Sequence, residues 1–138
     1  MGPVAAVGAI CFDGEARVLL VQRGRDPGRG LWTVPGGRIE AGETAAAACA
    51  REVAEETGLE VEVLALAEVV ERIAPAHHFV ILDHLARVTG GSLRAGDDAA
   101  DAGWFTMAEA AALPTTEGLL PVLERALATA RAAGYLKA

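Results

Sequence analysis

Four residues that could do chemistry crowd into six positions: Arg51, Glu52, Glu55 and Glu56. They follow the alanine-rich stretch TAAAACA, residues 44–50. On a helix, the spacing i, i+3, i+4 sets three carboxylates side by side. Two readings of such a triplet are open. One is a solvated acidic face, since like-charge repulsion costs an exposed helix only a few tenths of a kcal/mol per pair, on the order of 0.2–0.5. The other is a hard-cation site, because carboxylate oxygens suit Mg²⁺ or Mn²⁺. Mg²⁺ commonly takes one or two carboxylates and completes its shell with water and substrate phosphate.

The flanking residues favour the cation site. Gly36-Gly37 lets the backbone come close to a ligand. Gly37 is followed after five residues by Glu43, and Glu43 after seven by Arg51-Glu52-Val53. One residue later come Glu55-Glu56, then Thr57, Gly58 and Leu59. Gly37, Glu43, Arg51, Glu52, Val53, Glu55, Glu56, Gly58 and Leu59 fill every fixed position of a known signature. In this the chain resembles the Nudix hydrolase family. The lead-in LWTVPGG (31–37), the segments HHFVILDHLA (77–86) and GDDAADAGWFTMAEAAAL (96–113), and the last helix extend the likeness. They are similar to a bacterial branch described as ADP-ribose pyrophosphatase-like.

The resemblance implies an α/β fold, the Nudix-type α/β/α sandwich with a mixed β-sheet. It implies metal held by Glu52, Glu55 and Glu56, with Glu52 and Glu56 the direct ligands and the Gly37 carbonyl beside them. Asp98 is implied as an added ligand or base, with Asp97 and Asp101 as alternatives. The catalytic set is then Glu52, Glu56, Asp98 and Arg51, with Arg51 and Glu43 buttressing the helix against its loop. The general base stays open among Glu52, Glu56 and Asp98. The implied reaction is hydrolysis, assisted by Mg²⁺ or Mn²⁺, of a nucleoside diphosphate linked to another moiety. ADP-ribose, giving AMP and ribose 5-phosphate, leads, and Pro75 beyond the box fits that substrate. A nucleoside triphosphate, oxidised or not, is the alternative substrate. A catalytically inactive ligand-sensing module is the reading from another class. Gly103, where similar sequences often carry Arg, departs from the branch.

Other residues are read from their own surroundings. Arg23 and Arg25, at a strand end and in the next loop, suit phosphate binding or a plain surface pair. Trp32 and Phe79 suit either a base or ribose contact or core packing. His77 and His78 lack the partners and spacing of zinc ligands; lining the substrate mouth is the lesser of their readings.

The elements must hold these groups in place. Residues 4–12 read as a buried strand and 17–23 as a second, joined at Asp13-Gly14 into a hairpin. Residues 24–30 read as a loop and 31–34 as a short extended piece broken at Pro35. Thr44 is the expected N-cap of a helix over 45–57, with Ala46, Cys49, Ala50, Val53 and Thr57 on its apolar face. Gly58 suits the left-handed position that ends it. Residues 59–73 read as a strand bent near Leu66, and 79–88 as another. A loop is expected over 92–102, a short strand at Trp104-Phe105, a helix over 107–113 and a last helix over 117–133.

Composition sets the outer bounds. The 138 residues suit one domain, 1–138. With 52% hydrophobic and 22% charged residues, the chain can bury a core. No apolar run is long enough to span a bilayer. The first residues lack the basic start of a secretory signal, so a cytoplasmic location is expected. A net charge of −7 argues against a broad duplex nucleic-acid surface. It suits a small-molecule nucleotide that arrives with its cations. A homodimer is the partner the resemblance allows. Cys11 and Cys49 read as small buried thiols.

Overall fold

The structure is a computed structural model and describes residues 2–96 and 98–136. Its elements are β1 (Val4–Cys11), β2 (Val18–Arg23), β3 (Trp32–Thr33), β4 (Gly36–Arg38), α1 (Ala45–Thr57) and β5 (Leu59–Ala74). β6 (His77–Gly91), β7 (Ala99–Phe105), α2 (Met107–Ala112) and α3 (Leu119–Ala132) follow. The fold is α/β. A four-stranded mixed sheet runs β4-β1-β6-β5, and a three-stranded antiparallel sheet runs β3-β2-β7.

β1 is the centre. Its apolar run is buried without a break from Ala6 to Cys11, as a strand covered on both faces must be. Val7, Ala9 and Cys11 point to α1, where Ala48, Cys49 and Val53 meet them. Ile10 points the other way, to Leu85 on β6 and to Leu123 and Ala126 on α3. Two helical layers therefore cover opposite faces of the mixed sheet.

Three expectations need correction. The segments over 4–12 and 17–23 do not form a hairpin. One isolated bridge, Phe12 to Val18, joins them. Asp13 turns the chain by accepting from the backbone N–H groups of Glu15 and Arg17, both at 2.9 Å. β1 then pairs in parallel with β6 while β2 joins β7, so the turn carries the chain from one sheet to the other. The expected loop over 92–102 ends early, because Ala99–Phe105 is a strand. Its Ala, Gly and Asp residues have little strand preference, and pairing with β2 makes it one. The last helix starts at Leu119 rather than 117, after Gly118 at φ 79°.

α1 keeps its expected caps. The Thr44 hydroxyl accepts from the Ala47 N–H at 3.1 Å. Gly58 is left-handed at φ 74°, and its N–H returns to the Ala54 carbonyl. The buried face is Ala48, Cys49, Val53 and Thr57; Ala46 is exposed. The bend foreseen near Leu66 is a set of register shifts along β5, one of them between Leu66 and Glu68.

One buried charge stands out on the α3 side of the sheet. Asp83 is 6% exposed, and its Oδ1 has no hydrogen-bond partner among the described residues. Burial pushes its carboxyl up to about 6; Glu68 adds to the rise and Arg72 opposes it. Cys49, across the sheet, also feels its charge. Arg125 of α3 faces this region too, but is committed to Glu68 at 2.6 Å. Between the ordinary carboxyl range and about pH 6, the folded chain keeps a proton that the unfolded chain has lost. Wild-type stability therefore falls as pH rises through that window. Relative to wild type, Asp83→Asn is expected to gain stability on the order of 2 kcal/mol between pH 4 and pH 7.5. Urea melts across that range check it, and a pH-independent difference would contradict the buried unpaired carboxyl.

Candidate active site

The site forms where α1 crosses the edge strand β4. Gly36 pairs with Gly8 and Gly37 with Val7, so successive residues of β4 face opposite sides of the sheet. Gly37 faces α1. A Cβ there would fall on the Glu52 carboxylate, so only glycine lets Glu52 lie against this strand. One turn along, the Glu56 carboxylate accepts from the Gly36 N–H at 2.8 Å. Both glutamates are thereby held on the β4 backbone.

Arg51 locks this arrangement. It makes a two-pronged pair with Glu43, Nε to Oε2 at 2.7 Å and Nη2 to Oε1 at 2.9 Å. Nη1 donates to Glu52 at 2.8 Å and to Glu55 at 3.0 Å. Nη2 also donates to the Arg38 carbonyl at 3.1 Å. Glu40 stands at 3.7 Å from the same guanidinium. One side chain thus ties the helix to β4 and to the loop between them. The guanidinium beside Glu43 holds that carboxyl down to about 2, and Arg51 itself is held above its usual range.

The two glutamates on β4 behave differently from Glu43. Burial pushes Glu56 up to about 8, with Glu52 adding to the rise, while the Gly36 N–H and Arg23 oppose it. Burial also raises Glu52, against the pull of Arg51. A cation beside them would reverse both effects. The donor set fits one: the carboxylates of Glu52 and Glu56 and the backbone of Gly37 offer hard oxygen atoms. Among the described residues, no three His, Cys, Asp or Glu side chains converge as a metal cluster.

The other expected site residues divide. Glu55 is turned to Arg51 and is 41% exposed. Asp98 is at φ 60° and pairs with Arg25, so these two residues bind each other. Its loop is nonetheless laid on the end of α1, through Gly96 N–H to the Glu56 carbonyl and Arg94 N–H to the Thr57 carbonyl. Asp101 is spent on the Ala102 N–H, and Asp97 lies outside the described residues. Arg23 donates from Nε to the Pro27 carbonyl at 2.7 Å and is near enough to act on Glu56. Trp32 is packed in the core, edge-on to Phe105 with centroids 5.0 Å apart. Phe79 is half-buried between His77 and the Arg38 guanidinium, which is 5.8 Å from its ring centre. His78 Nε2 is 3.8 Å from Glu71.

Arg38 and Asp83 were not singled out from sequence. Asp83 did carry a signal, as a lone acid inside the apolar run FVILDHLA. Arg38 had none, because only the β4–β1–β6 register brings it to Phe79.

The family model for the NUDIX domain matches residues 2–126. An ADP-ribose pyrophosphatase of Methanocaldococcus jannaschii is 37% identical over 107 residues, 76% of this chain and 63% of that protein. The 8-oxo-dGDP phosphatase of Mus musculus is 42% identical over 101 residues, 70% of this chain and 30% of that protein. The chain thus spans less than two thirds of either relative. Among solved structures, a MutT NUDIX hydrolase from Burkholderia pseudomallei superposes with a TM-score of 0.80 at 31% identity, covering 91% of this chain and 98% of that one.

Gly37→Ala tests the close approach directly. The added Cβ displaces the Glu52 carboxylate, so Mn²⁺ affinity is expected to fall by about tenfold or more while the melting temperature changes little. A Mn²⁺ titration followed by paramagnetic resonance reads this, and unchanged affinity would remove Glu52 and Gly37 from the cation site.

Proposed function

The chain belongs to the Nudix family, and from that premise we propose that it is a divalent-metal-dependent hydrolase of a nucleoside diphosphate linked to another moiety. The observation that carries this is the pair of half-buried glutamates, Glu52 lying against Gly37 of β4 and Glu56 accepting from the Gly36 N–H. Two half-buried carboxylates with only one backbone donor and one arginine between them call for positive charge. A bound Mg²⁺ or Mn²⁺ would supply it, neutralise a diphosphate and lower the pKa of a bound water.

This chain's own residues have distinct tasks in that reading. Glu52 and Glu56 bind the cation, with the Gly37 carbonyl. Arg51 does not contact substrate; through Glu43, Glu52 and the Arg38 carbonyl it keeps the helix in register with β4. Arg23, close to Glu56, is placed to meet a phosphate oxygen. Arg25 and Asp98 act as a clasp between the loop after β2 and the loop before β7. Opening that clasp would free Asp98 for the cation or for a water proton and Arg25 for phosphate.

ADP-ribose is the leading substrate, supported by the archaeal relative named an ADP-ribose pyrophosphatase. Its products would be AMP and ribose 5-phosphate. A second reading, an oxidised purine nucleotide, is supported by the murine relative named an 8-oxo-dGDP phosphatase.

Incubation with ADP-ribose, 8-oxo-dGDP and 8-oxo-dGTP, with Mg²⁺ or Mn²⁺ and product identification, decides between the two. Glu52→Gln and Glu56→Gln are each expected to lower turnover roughly a hundredfold or more and to leave the circular dichroism spectrum unchanged. Full activity in both variants would refute the assignment, and chelation that leaves the rate intact would refute the metal.

A further inference from the structure

The glutamate site uses the β4 edge and the α1 side of the sheet. The opposite side carries a polar group to which that site gives no task. Asp83 interrupts the apolar run of β6, and its Oδ1 is buried without a partner among the described residues. A buried acceptor left unpaired costs stability, and nothing around it returns that cost. Glycine makes room for it: a Cβ on Gly8 would run into Asp83 Oδ1 and press on Val34 Cγ2 at 3.2 Å. The charges nearby are committed elsewhere. Glu68, opposite Asp83 on β5, is held by Arg125, and Arg72 donates to the Glu117 carbonyl at 2.8 Å.

The position of Asp83 relative to the glutamate site is informative. Gly36 pairs with Gly8, and Gly8 with Asp83, in one row across the sheet. Two strand spacings separate the ends of the row, about 10 Å. Gly36 is the residue whose N–H holds Glu56. The face that bears Asp83 thus begins about 10 Å from the edge where a diphosphate would be held. The same face carries Phe79 beneath Arg38. A cavity of about 440 Å³ opens farther along β5, walled by Val70, Glu71, Arg72, Ile73, His77 and Glu117 and by neither Phe79 nor Asp83. An aromatic ring and an unpaired acceptor on one sheet face suit a flat ring that bears N–H donors.

We propose that Asp83 reads the nucleobase of the substrate, accepting N–H donors from its edge, and so sets which base this chain takes. The proposal rests on the nucleoside diphosphate reading above. A buried acceptor that only the correct ligand satisfies rejects analogues that lack the donor.

Equilibrium binding of AMP, GMP and ribose 5-phosphate to the full chain tests it by calorimetry. Wild type is expected to bind at least one nucleotide about tenfold or more tightly than ribose 5-phosphate. The preferred nucleotide identifies the base. Asp83→Asn, which loses the charge, and Asp83→Leu, which loses both acceptors, should abolish that preference while changing ribose 5-phosphate affinity by less than about twofold. Gly8→Ala, which displaces the carboxyl without removing it, should repeat the loss. A melting temperature of Asp83→Asn at or above wild type at pH 7.5 shows that the fold is kept. The proposal is overturned if wild type shows no such preference, if the variants keep it, or if they lose all three ligands equally. None of these readouts needs turnover. Loss of preference in a chain that hydrolyses nothing would sink the hydrolase reading alone, and hydrolysis with preference intact in the variants would sink the base reader alone.

Discussion

The close approach of α1 to β4 is the constraint on which the site depends. It is possible because Gly36 and Gly37 carry no side chains. Any Cβ on Gly37 would occupy the place of the Glu52 carboxylate. With that space open, a helix can set two carboxylates on the backbone of an edge strand and exclude most water from them. The rise of Glu56 to about 8 is the electrostatic consequence. Repulsion among the glutamates is managed by one guanidinium, since Arg51 faces Glu43, Glu52 and Glu55 at once. The demand for positive charge that Arg51 leaves uncovered falls on Glu56, whose carboxylate accepts from the Gly36 N–H.

The same sheet has a second use for missing side chains. Gly8 opens the opposite face to Asp83 just as Gly37 opens the α1 face to Glu52. The two glycines are on adjacent strands and nearly level with each other, because Gly8 pairs with Gly36. A polyanion at the strand edge and a nucleoside on the sheet face would then meet two different electrostatic surroundings. The edge has half-buried carboxylates that suit cations. The face has one aromatic ring, Phe79, and one buried acceptor without a partner among the described residues. Both arrangements cost stability, a pattern expected where a fold gives up some of its margin for binding.

Much of the helix was legible from residue order, because its signals are local. Thr44 and Gly58 cap α1 where their types suggest. The buried face was less legible: residues 45–48 are all alanine, so the pattern could not tell exposed Ala46 from buried Ala48. Strand β7 was hidden for the opposite reason. AADAGWF has weak strand preference, and its conformation comes from pairing with β2, some eighty residues away. The hairpin expected at Asp13 failed because a turn signal states that the chain turns, not which sheet each arm will join. Asp98 shows the same limit in the site, since nothing in its neighbours announces the clasp with Arg25.

What the sequence by itself determined is the chemistry at fixed spacing along one helix and its lead-in. Gly37, Glu43, Arg51, Glu52 and Glu56 are set by the 3.6-residue repeat and by short loops, so their order implies their neighbourhood. The family follows from that order. What only the tertiary structure decided is everything set by strand pairing. The row Gly36–Gly8–Asp83 joins residues 28 and 75 positions apart, and register between distant strands is a property of the packed sheet rather than of any local segment. That is why the glutamate helix and its glycine lead-in could be read along the chain, while the face beside it, with its buried acid, appeared only when the sheet was assembled.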